Sequence, residues 1–264
     1  MPEGDAVWNT ARRLHEALAG RVLTRSDFRV PRYATANLTG HPVTEAVSQG
    51  KHLLIRVGNG LTVHTHLKMD GSWRIRPAAA GPPRRSAHQV RVVLANAEWQ
   101  AVGYLLGITE ILPTAREHQV TGHLGPDLLG PGWDAAQAAE VVRRLGADKD
   151  RPIGEALLDQ RNLAGIGTVY LAEMLFLQGI GPARPVGDVE DLPALVERGH
   201  GLLDANKTRP GQVTTGDPRP GRERWVYGRA GRPCRRCGAL IKRAEQGRPG
   251  QERLRFWCPN CQKQ

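Results

Sequence analysis

The chain has 264 residues, of which 37 are Lys or Arg and 26 are Asp or Glu, so its formal net charge is +11. Hydrophobic residues make up 40% of it, which argues against a disordered chain. The sequence has no run of eighteen apolar residues, which argues against a membrane protein. No charged-then-apolar signal peptide opens the sequence, so we expect a cytoplasmic protein rather than a secreted one.

The excess positive charge is concentrated near the carboxyl terminus. From Arg219 onward there are 13 basic and 3 acidic residues, which leaves a net charge of +10 in that segment. Most of the cations are arginines, whose planar guanidinium suits phosphates and base edges. A solvated surface would be the neutral interpretation, but a cluster of this kind is typical of a polyanion-binding face. The composition therefore favours a nucleic acid as the partner.

Residues 1–114 are predicted to form a mainly β domain that begins with one helix. Apolar residues recur at three- and four-residue intervals over residues 5–19, and Gly20 ends that amphipathic pattern. Short alternating runs follow, and Asn59-Gly60 is a two-residue hairpin turn between two of them. Eight strands at near-regular spacing favour an antiparallel sandwich or barrel. The predicted strands are Arg21–Val30, Pro42–Val47, His52–Val57, Leu61–His66, Trp73–Arg76, Val90–Leu94, Trp99–Val102 and Ile108–Leu112.

Helices are predicted beyond a non-periodic linker at residues 115–127. Asp134, and Asp188 or Asp191, are candidate N-caps, and Pro152 suits a first helical position. Residues 207–224 are rich in Gly and Pro and are interpreted as a mobile loop, which ends a helical domain over residues 128–224. The predicted helices are Asp134–Leu145, Pro152–Leu158, Val169–Leu177 and Leu192–Asn206.

The segment 225–264 contains every cysteine of the chain in two C-x2-C pairs separated by 20 residues. Each pair can present two thiolates to one tetrahedral ion, and four thiolates close its coordination shell, so the spacing indicates one structural Zn²⁺. Two disulfides are the alternative, but the absence of a signal peptide and of other cysteines argues against them. Alternation between the pairs predicts a β-hairpin finger. The four proposed ligands are Cys234, Cys237, Cys258 and Cys261.

A G-x-G sequence precedes the predicted helix at 169–177. Gly165 and Gly167 permit a tight turn, and the amino-terminal end of the helix after them could hold an anion. A simple packing turn explains the same glycines, so this motif depends on its neighbours for support.

Seven segments in order resemble one family. They are MPEGD at 1–5, SQGKHLL at 48–54, HTHLKMDGSW at 64–73, LGPDLL at 124–129, LLDQRNLAGIGTVYLAEMLF at 157–176, VYGRAGRPCRRCG at 226–238 and FWCPNCQ at 256–262. The chain is identified as a bacterial member of the formamidopyrimidine-DNA glycosylase and endonuclease VIII family. The resemblance implies an α+β multidomain fold with an N-terminal β-sandwich, a helix–two-turn–helix domain and a C-terminal zinc-finger hairpin.

The resemblance also implies a bifunctional DNA glycosylase and AP lyase of base excision repair. It implies that Met1 is removed and that Pro2 becomes the nucleophile through its secondary α-amine, whose pKa of about 8 leaves a useful unprotonated fraction. Glu3 is expected to protonate the opening sugar. Lys51 and Arg253 are expected to hold the phosphates beside the extruded nucleotide. Each of these residues taken alone could be an ordinary surface residue.

Further DNA contacts follow from the same motifs. The turn at residues 67–71 matches the family's intercalation loop, with Met69 or Leu67 as the wedge and Lys68 between them, although either apolar side chain could instead be a core residue. Gly167 and Thr168 are expected at a DNA phosphate, and the family usually has asparagine at the position of Thr168. Arg255 is the second candidate on the finger hairpin, and Glu173 is interpreted as a structural residue that holds the domain interface near Pro2.

The start PEGD resembles the endonuclease VIII branch, and residues 101–105 lack the arginine pair that the other branch carries. Oxidised pyrimidines are therefore the expected lesions, in double-stranded DNA that also includes abasic sites, with the protein acting as a monomer at the bacterial nucleoid. Three alternatives remain: an enzyme directed at 8-oxoguanine or formamidopyrimidine, a non-catalytic zinc-dependent protein that binds damaged DNA, and a zinc-ribbon transcription factor.

Overall fold

The structure is a computed structural model, and it describes residues 2–81, 87–247, 250 and 252–263. Its packing divides the chain into one unit that ends at His123 and a second that begins at Leu124. Among the described residues, no helix combines the length and apolarity needed to cross a membrane.

The described residues of the first unit form one long and one short α-helix and two four-stranded sheets. The sheets have the strand orders β1-β6-β7-β5 and β2-β3-β4-β8, and all their pairings are antiparallel. The elements are α1 (Gly4–Leu18), β1 (Arg25–Phe28), β2 (Val43–Gln49), β3 (His52–Val57), β4 (Leu61–His66), β5 (Ser72–Pro77), β6 (Val90–Ala95), β7 (Trp99–Tyr104), β8 (Ile108–Pro113) and α2 (His118–Thr121).

The core of this unit is a β-sandwich closed by α1. Apolar side chains of both sheets, such as Ile55 and Leu94, pack in one cluster with Leu14 and Leu18 of the helix. Every predicted strand is present, although the first is shorter than expected. Val57 pairs with Leu61, so three residues lie between β3 and β4 rather than the predicted two. Gly60 in this turn has φ +78°, a left-handed conformation that glycine adopts without a steric cost.

The segment 115–127, predicted as a linker, is part of the first unit as far as His123. Glu117 accepts hydrogen bonds from Arg56 Nε at 2.8 Å and from Thr62 Oγ1 at 2.6 Å, so it is fixed to β3 and β4. These partners lie more than fifty residues away along the chain, which is why local periodicity gives no sign of the attachment.

The second unit is helical and ends in a β-hairpin. Helix α5 lies at its centre, since every residue from Thr168 to Phe176 is buried. Asp134 and Asp191 cap their helices as predicted, by accepting the backbone N–H of Gln137 and of Ala194. The elements are α3 (Ala135–Leu145), α4 (Ile153–Leu158), α5 (Thr168–Leu177), α6 (Leu192–Asn206), β9 (Lys242–Gln246) and β10 (Arg253–Trp257).

Small differences from the predicted elements have local causes. Pro152 is the N-cap of α4 rather than its first residue, with a ψ of 131° that is extended. Asn206 donates to the Val213 carbonyl oxygen at 3.1 Å and accepts its N–H at 2.7 Å. The loop after α6 is therefore attached to the helix at this point, although its composition predicts mobility.

Candidate functional site

The amino-terminal candidates lie at the start of α1. Pro2 is half-buried, and Glu3, which is fully buried, is the N-cap residue of the helix. The Glu3 carbonyl oxygen accepts the N–H of Val7 at 3.1 Å. A helix begins with a positive dipole end, so a carboxylate is favourable here and a protonated amine is not. The predicted removal of Met1 concerns a residue outside the described ones.

Lys51 lies in the two-residue turn that joins β2 to β3. Gln49 and His52 are paired on either side of the turn, and Gly50 has φ +57°. Glycine adopts that left-handed conformation without the steric cost that a residue with a Cβ has to meet. Lys51 is half-buried. The sequence Gln-Gly-Lys therefore sets both the hairpin and the position of the cation on it.

The structure separates the two wedge candidates of the loop at residues 67–71. Leu67 is 4% exposed and belongs to the core of the first unit, whereas Met69 is 63% exposed. The loop is tight, because the Gly71 N–H donates to the Leu67 carbonyl oxygen at 2.9 Å and a Cβ on Gly71 would overlap that oxygen. Lys68 has φ +53°. Leu67 is thus the core residue that the alternative interpretation described, and Met69 is the exposed one.

The G-x-G loop before α5 is held by a residue that the sequence analysis did not single out. The Gln160 side chain donates to the carbonyl oxygens of Leu158 and Ile166 at 3.0 Å each, and it accepts the Gly165 N–H at 3.1 Å. Gly165 has φ +106°, which only glycine adopts readily. Its place in the DQ-x4-G sequence is the only local signal for this role.

Gly167 is the N-cap residue of α5, and both it and Thr168 are buried. The Thr168 side chain therefore offers little surface to a phosphate. The loop leaves the positive amino-terminal end of α5 as the group that can attract an anion, and the hydrogen bonds of Gln160 hold the loop in place.

Glu173 on α5 is fully buried and collects four hydrogen bonds. Its carboxylate accepts the backbone N–H of Trp225 at 2.8 Å and those of Val226 and Tyr227 at 2.9 Å each, as well as the hydroxyl of Thr214. These bonds compensate the buried charge and attach the segment that leads into the cysteines to the central helix. These bonds agree with a structural role, although their partners all lie in the second unit, and a position at the domain interface near Pro2 stays a prediction.

The four cysteines gather at the base of the hairpin, and their ligand atoms all lie within 4.8 Å of one another. The sulfur atoms of Cys234 and Cys261 are 3.9 Å apart, and those of Cys237 and Cys258 are 3.4 Å apart. A disulfide needs about 2.05 Å, whereas four bonds of about 2.3 Å to a tetrahedral ion place sulfurs roughly 3.8 Å apart. The four thiols are not paired as disulfides.

The pKa values of these thiols shift in both directions. A hydrogen bond with the Asn260 side chain lowers the pKa of Cys237 to about 6. Burial raises the pKa of Cys258 and of Cys261, because a thiolate there would lose water and face the other sulfurs. A bound cation would compensate four thiolates at once. The cluster therefore fits a single metal ion with a closed shell of sulfur ligands.

The two hairpin arginines differ in exposure although both lie on β10. Arg253 is exposed and lines a polar groove of about 690 Å³ together with Arg151, Asp159 and Arg161. Arg255 is half-buried, with its guanidinium 5.3 Å from the centre of the Trp257 ring, and burial lowers its pKa. Its Nε atom is buried and has no hydrogen-bond partner among the described residues. Arg253 is therefore the arginine that an external phosphate can reach directly.

The candidates are divided between the two units. The first unit has Pro2, Glu3, Lys51, Lys68 and Met69, and the second has the helix α5 amino terminus, the hairpin arginines and the cysteine cluster.

Two family models match the chain. The formamidopyrimidine-DNA glycosylase N-terminal domain matches residues 1–102, and the formamidopyrimidine-DNA glycosylase H2TH domain matches residues 124–194. The two matched segments together span well over half of the chain, and one falls in each unit.

Curated relatives match over almost the whole length. The chain is 55% identical over 267 residues to the probable endonuclease 8 2 of Streptomyces coelicolor, with 99% of this chain and 94% of that protein covered. It is 49% identical over 262 residues to the DNA-(apurinic or apyrimidinic site) lyase Nei2 of Mycolicibacterium smegmatis, with 99% of each protein covered.

The fold matches that of a solved structure. A crystal structure of the Lactococcus lactis formamidopyrimidine-DNA glycosylase, bound non-covalently to DNA that contains an AP site, has a TM-score of 0.82. The two sequences are 22% identical, and the match covers 99% of this chain and 100% of the other. The match confirms the architecture of β-sandwich, helical domain and cysteine hairpin.

Proposed function

This chain belongs to the formamidopyrimidine-DNA glycosylase family, on its endonuclease VIII branch, and we propose that it removes oxidised pyrimidines from double-stranded DNA and cuts the strand at the resulting site. It is a DNA glycosylase and AP lyase of base excision repair. The observation that carries the proposal is Pro2 directly before the buried Glu3 at the start of α1.

The chemistry needs Pro2 as the first residue of the mature chain. Its secondary amine attacks C1′ of the damaged nucleotide while the bond from C1′ to the base breaks, and the amine proton passes to the departing base. Glu3 then protonates the ring oxygen O4′ as the bond from C1′ to O4′ breaks, which leaves an iminium between C1′ and the Pro2 nitrogen. The iminium acidifies the C2′ protons. β-Elimination then breaks the bond to the 3′ phosphate, and δ-elimination breaks the bond to the 5′ phosphate.

The positive end of α1 assists the first step. An α-amine has a pKa of about 8, so part of the Pro2 amine is neutral and nucleophilic at physiological pH, and the helix amino terminus disfavours its cation. Glu3 is buried at the same end, and its carboxyl group can exchange protons next to the amine.

DNA contacts are proposed for both units. In the first unit, Lys51 and Lys68 bind phosphates, and Met69 fills the space left by the extruded nucleotide. Met69 is preferred to Leu67 because only Met69 is exposed. In the second unit, Arg253 binds a phosphate directly, Gly167 and Thr168 contribute at the start of α5, and Arg255 supports the hairpin beside Trp257.

One Zn²⁺ is proposed for the four cysteines. The spacing of the sulfur atoms supports it, and the ion would be structural because four thiolates leave no position for a reacting water. Its contribution is to hold the base of the β9–β10 hairpin, which carries Arg253. The proposed setting is the cytoplasm of a bacterium, at its nucleoid, with the protein acting as a monomer.

The test is a borohydride trap followed by peptide mapping. Wild-type protein incubated with duplex DNA that contains an abasic site or an oxidised pyrimidine should form a reduced covalent complex, with the DNA on a peptide that begins at Pro2. Glu3→Gln should lower base release by about 100-fold or more, because general acid catalysis contributes at least that much. A crosslink on another residue, or Met1 retained in an active preparation, would overturn the proposal.

Two other functions are separate outcomes of the same experiment. Tight binding to damaged duplexes without any trapped complex would indicate a non-catalytic DNA-binding protein. Faster trapping on 8-oxoguanine than on oxidised pyrimidines, across a panel of single-lesion duplexes, would indicate the other substrate class.

A further inference from the structure

Histidine side chains and one carboxylate gather on one face of the β2-β3-β4-β8 sheet. His52 pairs with His66 directly across β3 and β4, and His64 pairs with Glu110 directly across β4 and β8. Because alternate residues of a strand point to the same side, this register places all four side chains together. His123 adds its ring at 5.9 Å from that of His52.

The cluster contains a directional hydrogen-bond chain. His64 Nδ1 is 2.6 Å from Glu110 Oε1, and its Nε2 is 2.8 Å from His52 Nδ1. A carboxylate oxygen can only accept, so His64 has its proton on Nδ1. We take His64 as the neutral tautomer, in which Nε2 accepts and His52 donates from Nδ1. The stacked rings of His52 and His64, 5.0 Å apart, keep this alignment.

His66 extends the contact to the loop that carries Met69. Its Nδ1 accepts the backbone N–H of Lys68 at 2.9 Å, so its proton is on Nε2, and its ring meets that of His52 edge-on at 5.3 Å. Lys68 is at φ +53°, a conformation that costs a non-glycine residue free energy and persists only where its surroundings hold it. The hydrogen bond from Lys68 to His66 provides such a restraint.

Two rings of the cluster, those of His52 and His66, have lowered pKa values and lie beside Lys51 and Lys68. Burial lowers the pKa of His52 to about 3, and the neighbouring charges of His64, His66, His123 and Lys68 act in the same direction. Burial also lowers the pKa of His66 to about 4, together with the charges of Lys68, Lys51 and His64.

The histidines do not form a metal site in this arrangement. Within the described part of the chain, only the four cysteines bring three or more His, Cys, Asp or Glu ligand atoms within 4.8 Å of one another. The hydrogen bonds between the rings are therefore what the cluster provides.

We propose that Glu110, His64 and His52 are positioning residues that fix the Lys51 turn and, through His66, the Met69 loop in one arrangement. The chain from Glu110 ends at the residue that follows Lys51, and His66 is three residues before Met69. The proposal rests on the function proposed above, in which Lys51 binds a phosphate and Met69 enters the duplex. The positioning role explains how Lys51 and Met69 are held in place at the same time for contact with DNA.

The first test reads the histidine tautomers by long-range ¹H–¹⁵N NMR of the wild-type protein. At pH 7, His52 and His64 should carry the proton on Nδ1 and His66 on Nε2. His52 and His66 should remain neutral down to pH 5.5. A His52 ring protonated on Nε2 at pH 7 would overturn the hydrogen-bond chain, whatever the enzyme's activity.

The second test compares two substitutions of His52 that differ in one donor. In His52→Asn the side-chain amide occupies the place of Nδ1–H and can still donate to His64, whereas His52→Leu cannot donate. We expect His52→Leu to raise the Kd for abasic-site duplex about tenfold, while the single-turnover rate at saturating DNA stays within threefold of wild type. His52→Asn should bind within threefold of wild type, and His41→Asn, at an exposed histidine outside the cluster, should match wild type.

Two results would overturn the positioning role. The first is an equal Kd for abasic-site duplex in His52→Leu and wild type. The second is an equal increase in that Kd in His52→Asn and His52→Leu. Wild-type trapping on abasic DNA reports on the proposed function independently. If wild type does not trap, the function fails; if it traps while both His52 variants bind normally, only the positioning role fails.

Discussion

The carboxylate of Glu173 accepts the backbone N–H of Val226 at 2.9 Å from the middle of the buried helix α5. The N–H groups of Trp225 and Tyr227 donate to the same carboxylate, so one charge orders a turn of backbone that precedes the first cysteine pair. This contact joins the helical part of the second unit to its cysteine-bearing hairpin.

Glu173→Gln should destabilise the second unit. An amide presents its NH₂ group to backbone N–H donors that the carboxylate accepted, so at least one buried donor loses its partner at a cost of about 2–4 kcal/mol. Urea unfolding measures the change. Glu190→Gln, at an exposed carboxylate, is the matched control and should lie within about 0.5 kcal/mol of wild type. Equal stabilities for the two variants would contradict the role assigned to Glu173.

Leu67→Ala should lower the stability of the protein, whereas Met69→Ala should impair its action on DNA. Leu67 is buried, so its truncation should cost about 2–5 kcal/mol of unfolding free energy, whereas Met69 is exposed and its truncation should leave stability nearly unchanged. Met69→Ala should instead slow base extrusion, read as 2-aminopurine fluorescence beside the lesion. Normal extrusion in Met69→Ala would remove Met69 as the wedge.

Removal of the metal should affect the second unit alone. Without its cation, the four-cysteine cluster is left with thiolates that repel one another or with protonated thiols. The β9–β10 hairpin should therefore loosen, and DNA affinity should fall. Elemental analysis should give one zinc per chain before chelation. Circular dichroism should retain the β signal of the first unit, and complete unfolding by the chelator would contradict this expectation.

Acid should destabilise the first unit through its buried histidines. The pKa of His52 is lowered to about 3 and that of His66 to about 4, below the 6.5 of an unfolded histidine, so the unfolded chain binds more protons between these values. Stability is fully present above pH 6.5 and is lost as pH falls toward 4. Between pH 7 and 5.5 the loss should be on the order of 1–2 kcal/mol, after allowance for their partial exposure. His52→Asn should lose less over the same range.

Arg253→Gln should weaken DNA binding and its dependence on salt. A phosphate contact releases about one counterion, so the slope of log K against log salt concentration should become shallower by about 1. Arg243→Gln, at another exposed hairpin arginine, provides the comparison. An unchanged slope in Arg253→Gln would place Arg253 away from the phosphates.

The sequence determined the local architecture because its signals are local. Hydrophobic periodicity gave α1 and all eight strands of the first unit, and the Asp134 and Asp191 side chains cap the helices that they precede. Asn59-Gly60 marked the turn between β3 and β4, although that turn has three residues and not two. The cysteine spacing likewise indicated one four-sulfur cluster, since two C-x2-C turns can meet at one point in few other ways.

Tertiary structure alone decided which polar groups meet and which apolar ones are covered. Glu117 binds Arg56 across 61 positions, and Glu110 is aligned with His64 only by the register of β4 and β8. Leu67 and Met69 look alike in sequence, but a tight turn closed at Gly71 sends one into the core and the other into solvent. Which group a side chain contacts, and how exposed it is, depend on how strands and helices pack. Short-range sequence patterns do not specify that packing.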